Sequence, residues 1–195
     1  MAMPPDIDPQ SGCRLPSPKR EELDEAARAI YDRLADPKGG SLVGLWGPGG
    51  IRLHSPKLAV KTQPVNRYLR YEAGFAPRVR ELAILVVARE VDSRFEWAAH
   101  EAEALKEGLP RATLDIVKHK KPVDGVSETD ATVIALGREL FGTRRLSSET
   151  FARAHRLFGA RQLVDLICLM GEYSATAALL AAFDIQLQPG TPEPW

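Results

Sequence analysis

Between Arg80 and Gly108 the chain reads RELAILVVAREVDSRFEWAAHEAEALKEG, and no other stretch constrains the fold as strongly. Leu82, Leu85, Val86 and Arg89 fall at helical spacing, a polar break at Asp92-Ser93 interrupts the period, and a second segment carries Glu96, Trp97 and His100. The pattern predicts two short consecutive helices, with Glu81 on the first and Glu96 and His100 one turn apart on the second. A carboxylate and an imidazole at that spacing supply an acid and a base that burial and mutual contact tune toward neutrality. The same residues also fit a structural account. Ser93-x-x-Glu96 has the form of a capping box, and Glu96 followed by His100 is an ordinary helix-stabilising pair worth about 0.2–0.5 kcal/mol. Spacing alone leaves both accounts open.

The rest of the chain is punctuated by helix signals. Ser17-Pro18 opens a segment in which Leu23, Ala26, Ala27, Ile30, Tyr31 and Leu34 keep a helical period to about Ala35, before Pro37-Lys38-Gly39-Gly40 stops it. Ser55-Pro56 starts a second segment, which Pro64 breaks or kinks ahead of Tyr68 and Leu69. Gly74 to Pro77 turns into the Glu81 helix, Pro110 opens a short helix through Val117, and Ser127 begins another through Phe141. Ser147-Ser148 caps a helix running to Gly159, and Arg161 to Phe183 is apolar on most sides, hence a central or interface helix. No alternating strand pattern and no solenoid-length repeat is present. The expected fold is all-α: a flexible leader over 1–17, one domain over 18–187 and an extended tail over 188–195, with Trp195 either disordered or docked on a neighbour.

Composition narrows the partners. The 195 residues are 44% hydrophobic and 27% charged, enough for one sizeable core, and 26 basic residues balance 26 acidic ones. That balance argues against nucleic-acid or anionic-membrane partners, which need a clustered positive field. The basic run Lys118-His119-Lys120-Lys121 reads as a solvated loop. Glu172 interrupts the best candidate for a span of about 20 apolar residues, and the start, MAMPPDIDPQSG, lacks the features of a signal peptide. A cytoplasmic location is expected. Cys13 is expected exposed in the leader and Cys168 buried in an apolar run, with no resolving pair. The four histidines, His54, His100, His119 and His155, show no metal-ligand spacing, so a metal site would have to be assembled across helices or subunits and none is expected; no organic cofactor is expected either, because a lactone or enol carbonyl beside the carboxylate can serve as the electron sink.

The glycine-rich segment 41–52 lacks the G-x-x-x-x-G-K-[ST] pattern of a phosphate loop. It reads as a tight turn over which Leu45, Trp46 and Ile51 pack. Trp97 reads either as a core aromatic or as a wall beside the histidine.

Arg78-x-Arg80-Glu81-Leu82-Ala83-Ile84-Leu85, a spacer, and then Phe95-Glu96-Trp97-x-x-His100-x-x-x-Ala104-x-x-x-Gly108-Leu109 resemble the carboxymuconolactone decarboxylase family, which includes the alkylhydroperoxidase D-like proteins. His54-Ser55-Pro56-Lys57-Leu58 is similar to a helix start of that family, and Leu163 through Tyr173, with Ala181-Ala182-Phe183 after it, to its last long helix. The likeness covers roughly residues 20 to 187. It implies an alkylhydroperoxidase D-like helical bundle, with Glu81 as a buried carboxylate, His100 as the imidazole facing it, and the 41–52 loop, Trp46 included, near the pocket. The peroxidase branch carries Cys-x-x-Cys where this chain has Ser93 and Glu96, so the resemblance implies the acid and base without the dithiol.

The expected activity is cofactor-independent acid–base catalysis on a small carboxylated lactone or related carbonyl compound, decarboxylase-like. His100 moves a proton at the reacting carbon, Glu81 orients it, and Glu96 serves as a second carboxylate. Arg78, Arg80 and Arg89 are candidate carboxylate anchors, unless they pair with Glu81 and Glu90. Trp97, Trp46 and Arg80 are the candidate substrate contacts. Two other readings stand beside this one: an alkylhydroperoxidase or peroxiredoxin-like antioxidant protein, and a noncatalytic oligomeric binding protein in which the polar cluster only fixes the hairpin. Family likeness and the apolar 163–183 segment imply a homo-trimer or hexamer.

Overall fold

The structure, a computed structural model, describes residues 3–195 and is all-α. Among the described residues there are eight α-helices and no β-strand beyond one isolated antiparallel bridge between Asp8 and Cys13. Contacts divide the chain into two compact units where one domain is expected, Met1–Asn66 with Ala178–Pro192, and Arg67–Ala177 with Glu193–Trp195.

The first unit holds α1 (Glu25–Ala35), α2 (Pro48–Arg52) and most of α3 (Pro56–Arg67). Its core is Leu23, Ala27, Ile30, Leu34, Leu53 and Ala59. α1 begins later than Ser17-Pro18 suggests, because Asp24 is the cap: its carboxylate accepts the Ala27 N–H at 2.9 Å. The glycine loop is not all loop, since Pro48 sits in the first turn of the short helix α2. Pro64 is accommodated inside α3. The leader is tied down rather than loose: Ile7, Ser11 and Cys13 are buried, and Arg14 N–H bonds Phe183 C=O at 2.9 Å. The leader's first two residues, Met1 and Ala2, lie outside the described residues.

The second unit is built around α4 (Pro77–Glu90), in which every residue from Val79 to Ala88 is buried. A helix covered on all sides carries apolar residues all round, and its polar members must find partners inside. α4 packs against α5 (Arg94–Lys106), α6 (Arg111–Lys118) and α7 (Glu128–Gly137). The α4–α5 corner is a Schellman-type stop. Asp92 takes the left-handed position at φ 59°, and Ser93 N–H reaches back to Ala88 C=O at 2.7 Å. Asp92 tolerates that conformation, and Trp195 Nε1 and Arg89 Nη1 both donate to its Oδ1, at 3.1 and 3.2 Å. Trp195 is thus docked, edge-on to Trp97 with ring centroids 5.5 Å apart.

α8 (Ser148–Ala182) carries one break: Gly159, at φ 67° and ψ 171°, leaves helical geometry where the sequence places a boundary. Ser147 caps its start by accepting Thr150 N–H at 3.1 Å. Contrary to the expectation that Glu172 interrupts the apolar run, α8 is long and apolar enough to cross a membrane by length and composition. Its apolarity has a use inside the fold, because Leu163, Leu166, Leu169, Met170 and Tyr173 are core residues of the second unit.

Cys13 and Cys168 exchange their expected environments: Cys13 is 2% exposed, while Cys168 lies on the solvent side of α8. The ring of contacts around the leader buries the first, and helix phase turns the second away from Leu166 and Leu169.

The α4–α7 crossing is close because Gly137 lacks a side chain. A Cβ there would lie 2.2 Å from Val86 Cγ1 and 3.2 Å from its Cβ, on a stiff β-branched side chain. Gly137→Ala is expected to cost about 1–3 kcal/mol of unfolding free energy in urea titration. In a Val86→Ala background the same change should cost clearly less; equal costs in both backgrounds would place the strain elsewhere.

Candidate functional site

Three polar residues buried in the second unit form one hydrogen-bonded series. Glu81 projects from α4, and both of its oxygens are engaged: Oε2 lies 2.7 Å from His100 Nδ1, and Oε1 accepts Arg80 Nε at 2.8 Å. Glu81 is 0% exposed, Arg80 6% and His100 5%, so all three depend on one another in place of water. Glu96, one turn before His100 on α5, places Oε2 3.8 Å from His100 Nε2. Glu96 is buried at this position, and Ser93 makes no side-chain cap, so the capping-box account does not hold. The helix rotation that brings His100 to Glu81 also turns Glu96 inward.

The charge states follow from the partners. Burial works to raise the Glu81 carboxyl, but the hydrogen bond and charge of His100, and then those of Arg80, outweigh it, leaving the group below its ordinary value of 4.5. An ionised carboxylate only accepts hydrogen bonds, so the proton between Glu81 and His100 sits on Nδ1. In neutral His100 the Nε2 lone pair is then the free base, on the side of Glu96.

Tyr173 of α8 covers the imidazole edge-on, with ring centroids 5.3 Å apart and planes at 83°. Burial pushes its hydroxyl far above the ordinary tyrosine range, with Arg70 opposing and Glu96 and Glu81 adding to the rise. The phenol stays neutral. Tyr173 and Arg70 belong to this neighbourhood, yet sequence reasoning does not single out either. The only signals were a lone tyrosine in an apolar helix and an arginine just past a proline-bearing segment.

Most of the other candidates have settled partners, though the indole Nε1 of Trp97 is buried without a hydrogen-bonding one. Arg80 is held by Glu81 and by Arg70 C=O at 3.0 Å. Arg78 pairs with Asp130 at 2.8 Å, and Arg89 bonds Lys118 C=O at 2.7 Å as well as Asp92. The expected pairing of an arginine with Glu81 occurs, while Glu90 takes Lys120 instead, at 2.9 Å. Trp97 is fully buried, with Trp195 against its ring and the Lys118 ammonium 5.8 Å from the ring centroid. Trp46 belongs to the first unit, where its Nε1 donates to Gln186 C=O at 2.9 Å and its indole covers Gly12. The basic run is largely neutralised locally, Lys118 by Glu101 and Lys121 by Asp115.

No cluster of three or more His, Cys, Asp or Glu suited to a metal occurs among the described residues. Comparison with models of known protein families and with curated proteins finds no match.

Because the folded state holds Glu81 below its ordinary value, it binds a proton there less readily than the unfolded chain does. The stabilisation is therefore complete above the unfolded value near 4.5 and is lost as the pH falls through the lower folded value. Glu81→Gln should lower stability at neutral pH by about 3 kcal/mol, the scale for breaking a buried ion pair. The difference from wild type should shrink below pH 4.5 in urea titrations. A difference independent of pH would show that this carboxylate is not the ionised partner.

Proposed function

We propose that this protein is an acid–base enzyme acting on a small carboxylated lactone or related carbonyl compound, similar to carboxymuconolactone decarboxylase. One observation carries the reading: a buried imidazole whose Nδ1 is held 2.7 Å from a carboxylate that is itself fixed by an arginine. A structural pair needs no orientation of the second nitrogen. Here the arrangement leaves Nε2 as a directed base beside a second buried carboxylate.

In the proposed reaction the bond between the substrate carboxylate and its ring carbon breaks, carbon dioxide leaves, and the electron pair enters the unsaturated carbonyl system as an enolate. His100, protonated on Nε2 from solvent, delivers that proton to the carbon that lost carbon dioxide, and Glu81 holds the ring and stabilises the imidazolium until the transfer. Glu96 exchanges that proton or selects the substrate. Tyr173, neutral and against the imidazole, limits water at the site.

Membership of the carboxymuconolactone decarboxylase family, an alkylhydroperoxidase D-like bundle, a cytoplasmic location and assembly as a homo-trimer or hexamer belong to the same proposal. Exposed apolar side chains of the second unit, Val164 at 60%, Tyr71 at 59% and Phe151 at 49%, favour self-association. A thiol peroxidase reading finds less support, since neither cysteine lies on the α4–α5 hairpin.

The test is carbon dioxide release from γ-carboxymuconolactone and related carboxylated lactones. Wild type should turn over at least one, His100→Ala should lose activity while keeping its helical circular dichroism, and Glu81→Gln should lower kcat about a hundredfold or more. A folded, fully active His100→Ala would end this reading.

A further inference from the structure

Arg70 has five guanidinium donors and uses none of them in a hydrogen bond or ion pair among the described residues. Its Nε is buried without a partner, and its one side-chain contact of note is the Tyr71 ring, whose centroid lies 5.0 Å from Cζ. Buried guanidinium nitrogens are normally matched by carboxylates or carbonyls, as Arg78 is by Asp130, Arg80 by Glu81 and Arg89 by Asp92, whereas Arg70 is half-buried with its Nε on the buried side.

Its place in the fold is specific. Arg70 lies in the π-helical turn Tyr68–Glu72, a wide turn type frequent at functional sites. Arg80 Nη1 ties the backbone of that turn to the Glu81 cluster through Arg70 C=O at 3.0 Å, and the Arg80 guanidinium lies over the same Tyr71 ring, 5.4 Å from its centroid. Burial opposes the Arg70 cation, but Tyr173, Tyr71, Glu81 and Glu96 outweigh it.

We infer that Arg70 is the anion-binding residue of this site, its open guanidinium fork taking a carboxylate of a small organic acid beside His100. The inference rests on the acid–base reading for what happens to the bound molecule, though not for the binding itself. Guanidinium meets carboxylate through two parallel N–H···O bonds, a geometry that neither lysine nor a neutral amide reproduces.

The experiment uses benzoate and its uncharged counterpart benzamide as probes, titrated into the full-length protein by calorimetry. Wild type should bind benzoate saturably and benzamide about tenfold more weakly or worse. Arg70→Gln should lose about tenfold or more of the benzoate affinity and no longer distinguish the two probes. Arg70→Lys, which keeps the charge but not the fork, should fall between them, and it decides the matter if the glutamine variant fails to fold. Arg67→Gln, removing an exposed arginine paired with Glu72, should bind as wild type does. Absence of saturable benzoate binding in wild type, or unchanged affinity in the folded Arg70 variants, overturns the inference. Benzoate binding that depends on Arg70, in a protein that releases no carbon dioxide from any lactone, supports the anchor and overturns only the reaction.

Discussion

The bond between Glu81 and His100 is the contact on which the second unit depends. A carboxylate with no exposed surface, in the middle of the most buried helix, is tolerable only if both of its oxygens are satisfied. Arg80 and His100 supply that satisfaction. Much of the surrounding structure can be read as the means of holding them there: the Asp92 corner sets the antiparallel path of α5, Gly137 lets α7 close on α4, and α8 brings Tyr173 against the imidazole. The C-terminal Trp195 pins the same corner through Asp92 and Trp97.

This arrangement has a chemical consequence beyond stability. With one ring nitrogen committed to an ionised carboxylate, the other faces Glu96, and in the proposed reaction it is the base. Arg70, in the adjoining π-helical turn, keeps a buried Nε with no hydrogen-bonding partner. Its contact with the Tyr71 ring and the charge of Glu81 and Glu96 favour the cation within the fold, and the Nε is the atom on which the proposed anion contact bears.

Much of the helix order was legible in the sequence because it is written in local chemistry. Serine and proline starts, the Asp92-Ser93 break, the Gly159 stop and the apolar period of α4 all act within a turn or two of where they stand. Glu81, Glu96 and His100 were legible as a group because helical spacing relates residues on one arm and a short corner relates the arms. Tertiary relations were not. Cys13 looked exposed because its neighbours are polar, yet backbone pairing with the 183–186 segment closes over that region. Cys168 looked buried because its neighbours are apolar, yet one helical step separates it from the core face. Arg70 carries no local mark at all, since its unpartnered Nε and its contact with the Tyr71 ring arise only in the folded chain. The capping-box form of Ser93-x-x-Glu96 misled for a related reason: Glu96 is drawn inward by the cluster and does not turn back to its own helix end.

The position of the proton between Glu81 and His100 can be observed directly. Long-range proton–nitrogen correlation spectra of the imidazole side chains, with His100 identified by its absence in His100→Gln, report which ring nitrogen is protonated in the neutral form. The account predicts the Nδ1–H form, with that proton slow to exchange and strongly deshielded by its bond to Glu81, and an unprotonated Nε2. A neutral His100 carrying its proton on Nε2 would contradict the account, because the nitrogen assigned as the base would then already be occupied.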